Sequence, residues 1–361
     1  MNVLFFVSRA TFGGVQFEAF NIIKEISIKF DVTIVFDKGG PMLEKFADIR
    51  GIQILVLEDN FKYGYSKFLF LIKLLYFKKW YKIVFLSVKF RFLTALLFKR
   101  SKTVYRHSGV IFNKYMNVIR YFIGYLVELV NILFSDSVVC VSEANMLKIK
   151  KFYPFKNNVL FSPTYYDVNR FLEANKDISR RFLLDNFKLD DSFKIVVCPL
   201  SFAPNKNQHL VYDILLDISD FNIALFFCGD GEYFSLFSNT LKSKDNLFVY
   251  FLGNVDNVEY FISGADILIT ASTYMEGLPQ VISQSLYCQT PVFCWDWEGN
   301  KDEVFDGING FLVKPLDIDN FRFKIVEYFK GSFQLDMQSK LHYDHGNLAL
   351  QKLVSCIFNV Y

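Results

Sequence analysis

Short β-branched and aromatic runs recur along this chain, each followed by a turn and a segment of helical period. The first set is NVLFFV at 2–7, VTIVF at 32–36, IQILVLE at 52–58, IVFLSV at 83–88 and KTVY at 102–105. A second set follows: KIVVC at 194–198, NIALFFC at 222–228, LFVYFL at 247–252, ILITA at 267–271 and PVFCW at 291–295. Such runs, alternating with helices, predict parallel sheets and an α/β fold. Between the sets, residues 160–190 are polar and carry Pro163 without a long apolar period, so the domain boundary is expected there. At 361 residues the chain has room for two such lobes. The expected division is 1–170 and 171–340, with 341–361 a helical tail that can pack back on the first lobe.

Charge is divided unevenly between these halves. Residues 1–170 hold 25 Lys+Arg against 12 Asp+Glu, while the net charge of the whole is only +3. Between Asp59 and Glu128 there is no acidic residue and there are fourteen basic ones, so the first lobe is expected to seek an anionic partner. Within that interval the stretch from Tyr65 to Lys82 sets Lys73, Lys78, Lys79 and Lys82 among Phe, Leu and Tyr. Two readings fit it: a basic helix lying on an anionic membrane surface, or a core helix with its lysines in solvent. The charge asymmetry favours the membrane. Neither this stretch nor 116–134, which Arg120 and Glu128 interrupt, is apolar enough to span. No nucleic-acid module accompanies the basic lobe.

The six cysteines form no C-x-x-C pair and no metal spacing, which suits buried thiols in a reducing compartment. The start, MNVLFFVSRATFGG, reads as a first strand with its loop rather than as a signal peptide, so a cytoplasmic protein is expected.

Candidate site residues lie where strands give way to loops. Gly13 and Gly14 precede a helix and allow close approach of backbone to a phosphate or hydroxyl, though a plain tight turn fits them equally. His107 is expected to project from a strand end into a loop, and Ser142 to cap a helix. In the second half, residues 264–291 compress a strand, a turn holding Glu276, Gly277, Leu278 and Pro279, and a helix start. Asp302 and Glu303 read as a helix-start cap.

Taken in order, the SFAPNKNQ loop with Lys206, the CGDGE turn with Gly229, ADILITAS, the EGLP turn at Glu276 and the DGINGFLV ending resemble a GT-B glycosyltransferase of family 4. The GG loop, YRHSG and VSE add weaker matches, and the similarity covers nearly the whole chain. The resemblance implies two Rossmann-like lobes with parallel sheets facing a cleft. It also implies retaining transfer of a sugar, without a metal, from a nucleotide-sugar held by the second lobe to an acceptor held by the first. Glu276 matches the first glutamate of the family's E-x7-E motif and would hold donor hydroxyls; Lys206 would neutralise the diphosphate leaving group, where charge builds as the bond breaks. His107 would stand near the donor sugar, Gly13 and Gly14 by the phosphate, Gly277 to Pro279 at the sugar and phosphate, and Val255 near the base. Two positions depart from the family: Gln284 replaces the second glutamate, and Ser201 stands where an arginine usually accompanies the lysine. A UDP-sugar donor, a lipid-linked or surface-polysaccharide acceptor and a place on the inner face of the cytoplasmic membrane complete the expectation. The alternative is a catalytically weakened homologue that binds sugar nucleotide or glycan as a partner subunit.

Overall fold

The computed structural model describes residues 1–60, 64–86, 102–109, 118–272, 277–338 and 343–358. The chain forms two compact units, one of residues 1–166 and 345–361, the other of 167–344.

The first unit is built on a seven-stranded sheet: β1 (Asn2–Arg9), β2 (Asp31–Lys38), β3 (Ile52–Val56), β4 (Lys82–Phe85), β5 (Lys102–His107), β6 (Ser137–Cys140) and β7 (Val159–Phe161), in the order β3-β2-β1-β4-β5-β6-β7. Every neighbouring pair is parallel. Because side chains alternate along a strand, each strand feeds two cores. Phe5, Val84, Val104 and Val139 meet helix Gly14–Ile26 and the C-terminal helix Asn347–Phe358 on one face. On the other, Phe6 and Phe85 pack with Leu71 and Leu75 of helix Gly64–Phe77, and Tyr105 and Val138 with Ile132 of helix Val118–Phe134. The tail is stapled by Phe358, whose ring stacks on Phe30 at 4.6 Å. His345 leads into it, its Nδ1 2.7 Å from the Thr164 carbonyl oxygen.

The second unit carries β8 (Lys194–Cys198), β9 (Ile223–Cys228), β10 (Leu247–Gly253), β11 (Ile267–Thr270), β12 (Val292–Trp295) and β13 (Gly310–Val313), all parallel, in the order β10-β9-β8-β11-β12-β13. Trp295, Phe293 and Phe321 fill the centre of its core. In both sheets the strand order reverses once, between β1 and β4 and between β8 and β11. Such a switch point leaves an opening at the carboxyl edge where ligands of open α/β sheets bind.

Several elements differ from the sequence reading. The polar stretch near 180 is a helix, Lys176–Phe187, started by Asn175, whose side chain accepts from the Ile178 N–H. Its inward face is narrow, with Ser179 and Leu183 the buried residues, so it shows no apolar period. The lysine-rich segment is not one helix: Gly64–Phe77 ends before Lys78 and Lys79, and Lys82 opens β4. Asp302 and Glu303 follow the short helix Glu298–Lys301 instead of starting one. Ser142 caps helix Glu143–Phe152, its Oγ 3.2 Å from the Asn145 nitrogen.

Candidate donor-binding site

In the second unit three loops leave the carboxyl ends of β8, β9 and β11. The β8 loop carries Ser201 and Lys206, both half-buried. Gln208 donates through Nε2 to the Ser201 carbonyl at 2.8 Å, curling the loop back on the start of helix Gln208–Leu216. Asn207, left-handed at φ 50°, donates through Nδ2 to the Ala271 carbonyl at 3.1 Å. The loop holding Lys206 is thereby tied to the end of β11, across the switch point.

The β9 loop lies against the β8 loop. A Cβ on Gly229 would stand 2.3 Å from the Leu200 carbonyl oxygen, so only glycine permits this approach. Gly229 also bridges to Gly253 at the end of β10, two residues before Val255. From β11 the chain runs through Ala271 and Ser272 to Gly277, Leu278 and Pro279, all buried, and into helix Gln280–Tyr287. Pro279 is extended at the N-cap, and the first turn of this helix has no acidic residue. Gln284 lies half-buried in the same helix. Glu276 lies outside the described residues.

The electrostatics of this edge are set by few groups. Cys198 ends β8 fully buried, and burial pushes its thiol up to about 12, opposed by the Lys206 ammonium. Cys228, at the end of β9, is raised further by burial and by Cys198. Both are therefore neutral packing groups, and Lys206 supplies the positive charge at this point.

In the first unit, Gly13 is the N-cap of helix Gly14–Ile26, at the carboxyl end of β1 beside that sheet's switch point. His107 ends β5 at the same edge, two strands away. Its side chain does not project into a loop: it is 3% exposed, with Nε2 3.1 Å from Glu128 Oε1. A strand residue facing a core helix turns inward. Beside it Arg106, which sequence reasoning did not single out, is 1% exposed on the opposite face. Its guanidinium reaches Glu18 through Nε at 3.3 Å and Nη2 at 2.7 Å, and the carbonyls of Cys140, Ser162 and Pro163. Glu18 comes one turn after the glycine loop, so this buried pair joins that loop's helix to β5; i,i+4 patterns within one helix cannot reveal it.

The four lysines assigned to a membrane surface separate. Lys73 and Lys79 are exposed, whereas Lys78 is half-buried with Nζ 4.7 Å from the Trp80 ring centroid. Lys82 is 3% exposed, and burial, followed by repulsion from Lys102, lowers its pKa. Lys82 cannot present itself to a membrane, because strand pairing turns it inward. Lys78 and Lys79 precede β4 at the amino edge of the sheet, opposite Gly13 and His107. No helix among the described residues is long and apolar enough to cross a membrane, and no group of three or more His, Cys, Asp or Glu side chains among them is arranged to hold a metal ion.

Two doubly wound parallel sheets in one chain, with polar loops at the switch points, define the GT-B class of fold. Two solved structures share it over 99% of this chain: Anabaena HepE in complex with UDP-glucose, TM-score 0.77, 16% identity and 97% of that chain covered, and WaaG, TM-score 0.77, 12% identity and 100% covered. Residues 179–343, within this second unit, match the family model of the group 1 glycosyl transferases. Among curated relatives, an uncharacterized glycosyltransferase of Methanocaldococcus jannaschii is 27% identical over 54% of this chain, and the putative glycosyltransferase EpsD of Bacillus subtilis 24% over 63%. The alignments span 49% and 61% of those relatives' own lengths.

Proposed function

We propose that the chain is a retaining glycosyltransferase that moves a sugar from a UDP-sugar, without a metal ion, to a lipid-linked or surface-polysaccharide acceptor. The observation that carries this reading is the Asn207 to Ala271 hydrogen bond, which ties the Lys206 loop to the end of β11, the strand that leads toward Glu276 and Pro279. Lys206 then meets the diphosphate as negative charge develops on it, and the N-terminus of helix Gln280–Tyr287, whose first turn carries no acidic residue, favours the same anion. Glu276 is assigned to donor hydroxyls by its place in the sequence. The reading is supported by relatives: HepE was crystallised with UDP and glucose, and WaaG is a glycosyltransferase involved in lipopolysaccharide biosynthesis.

The acceptor is read as membrane-borne. Leu69, Lys73 and Tyr76 lie exposed along one face of helix Gly64–Phe77, and Phe122, Leu126 and Leu133 along helix Val118–Phe134 on the same side of the sheet. Aliphatic and aromatic side chains with a neighbouring ammonium suit the headgroup boundary of an anionic bilayer, which gives a peripheral location at the inner face of the cytoplasmic membrane.

Ser201 favours a second reading, a weakened homologue acting as a binding subunit. Its carbonyl is already taken by Gln208, and the side chain brings no cation to the diphosphate. Donor hydrolysis and thermal shift with UDP-, GDP-, ADP- and CMP-sugars separate the two. Stabilisation by UDP-sugar with slow hydrolysis, lowered about a hundredfold or more by Lys206→Ala and Glu276→Ala, is expected of the transferase. Binding without turnover would select the subunit.

A further inference from the structure

The helices on the two sides of the first sheet differ in what they show to solvent. Among the large apolar residues of helices Gly14–Ile26 and Asn347–Phe358, only Leu348 is exposed in the described residues. The other side carries helices Gly64–Phe77 and Val118–Phe134 with their exposed faces, and helix Glu143–Phe152 joins them there. Its Ile149 is buried in one cluster with Ile132 of helix Val118–Phe134, and the Tyr153 ring just after it stacks on Tyr125 of that helix, centroids 6.3 Å apart. Ile149 turns inward, so Leu147 and Lys151, one turn apart, lie on the outer face. Leu147 is 61% exposed, Phe152 51% and Phe155, just beyond the helix, 57%.

Charge decides what such a face can meet. Between Asp136 and Asp167 the chain holds four lysines and a single acidic residue, Glu143, which opens the helix. Lys150 and Lys151 are exposed. The neighbouring helices add no exposed carboxylate: Gly64–Phe77 has no acidic residue, and Glu128, the one acid of Val118–Phe134, is buried. Apolar side chains spread over three helices, with ammonium groups and almost no carboxylate among them, suit a broad anionic surface with an apolar interior. We propose that helix Glu143–Phe152 and the turn to Phe155 form a further membrane-contact element, with Leu147, Phe152 and Phe155 entering the headgroup boundary of an anionic bilayer and Lys150 and Lys151 resting on its phosphates. This element rests on the reading of the acceptor as membrane-borne, and it adds a third line of contact that holds this side of the first unit against the lipid.

The test uses tryptophan as a depth probe in the full chain, mixed with vesicles of equimolar phosphatidylglycerol and brominated phosphatidylcholine, bromine being a contact quencher. Trp80, Trp295 and Trp297 are buried, so quenching beyond that of the wild type reports the introduced ring. Leu147→Trp and Phe155→Trp are expected to be blue-shifted and quenched, and Leu348→Trp, on the opposite side of the sheet, to keep its emission. Lys150→Gln combined with Lys151→Gln is expected to weaken vesicle binding about tenfold. Quenching of Leu126→Trp without quenching of Leu147→Trp and Phe155→Trp would overturn the proposal and leave the membrane reading of the other two helices standing. Absence of quenching at all three positions would overturn both. Equal quenching of Leu348→Trp would show that no one side faces the lipid, which also overturns the proposal.

Discussion

The indole N–H of Trp297 donates to the Ser272 carbonyl at 2.9 Å, from the loop after β12 to the end of β11. The preceding carbonyl, Ala271, is held by Asn207 from the other side. Two consecutive peptide groups are therefore pinned by side chains from both neighbouring loops just before the chain runs on to Gly277. Trp297→Phe keeps an aromatic ring and removes only the donor. The buried Ser272 carbonyl then loses its partner, at a cost of about 1–3 kcal/mol. The melting temperature is expected to fall by roughly 2–10 °C, with weaker stabilisation by UDP-sugar, in thermal melts with and without nucleotide.

Arg106 and Glu18 form a buried ion pair whose members cannot be removed singly without leaving a charge in the core. Arg106→Met is expected to destabilise the first unit by about 3–5 kcal/mol, and Glu18→Gln to do nearly as much. The double variant should lose less than the sum of the two. Urea denaturation of the four proteins checks this; strict additivity would show that the two groups do not interact.

Membrane association is expected to depend on the outward faces of helices Gly64–Phe77 and Val118–Phe134. Lys73→Glu combined with Phe122→Ser and Leu126→Ser should release the protein from anionic vesicles in flotation, while Lys78→Gln should change little, because that ammonium sits over Trp80. Retention of the triple variant would return these side chains to ordinary surface.

The buried thiols make a pH prediction. Burial pushes Cys140, Cys198 and Cys288 up to about 12, so in the folded chain they stay protonated through the ordinary working range. Unfolded cysteines ionise near pH 8.5, so above that pH the unfolded state holds fewer protons than the native one. Stability is expected to fall as pH rises past about 8.5. Iodoacetamide at pH 8 should label these three sites only after denaturant is added, and rapid labelling of the native protein would contradict their burial.

Much of the fold was legible because parallel strands leave a clear trace: NVLFFV, VTIVF, KIVVC and IALFFC are apolar apart from Asn2, Thr33 and Lys194 and match β1, β2, β8 and β9 closely. The likeness of the second unit to the group 1 glycosyl transferases was legible for a related reason, since its loops follow those strands in fixed order. What escaped was set by contacts remote in sequence. Arg106 and Glu18 are 88 residues apart, and nothing near either one marks the pair. Glu128 looked like a charge that forbids a membrane span, yet it is buried against Tyr105 and His107. Lys82 looked like a surface lysine because its neighbours are basic, but strand pairing decided its orientation. Helix Lys176–Phe187 was missed because it presents so narrow an inward face to its unit.

The docking of helix Asn347–Phe358 onto the sheet of the first unit bears on how the chain is made. That helix leaves the ribosome after residues 167–344 are complete. The second unit is contiguous and can close its core during synthesis, whereas the sheet β1 to β7 lacks the packing of Leu350, Leu353 and Ile357 until helix Asn347–Phe358 emerges. Of the two units, the one with the earlier residues is therefore completed after the one that follows it.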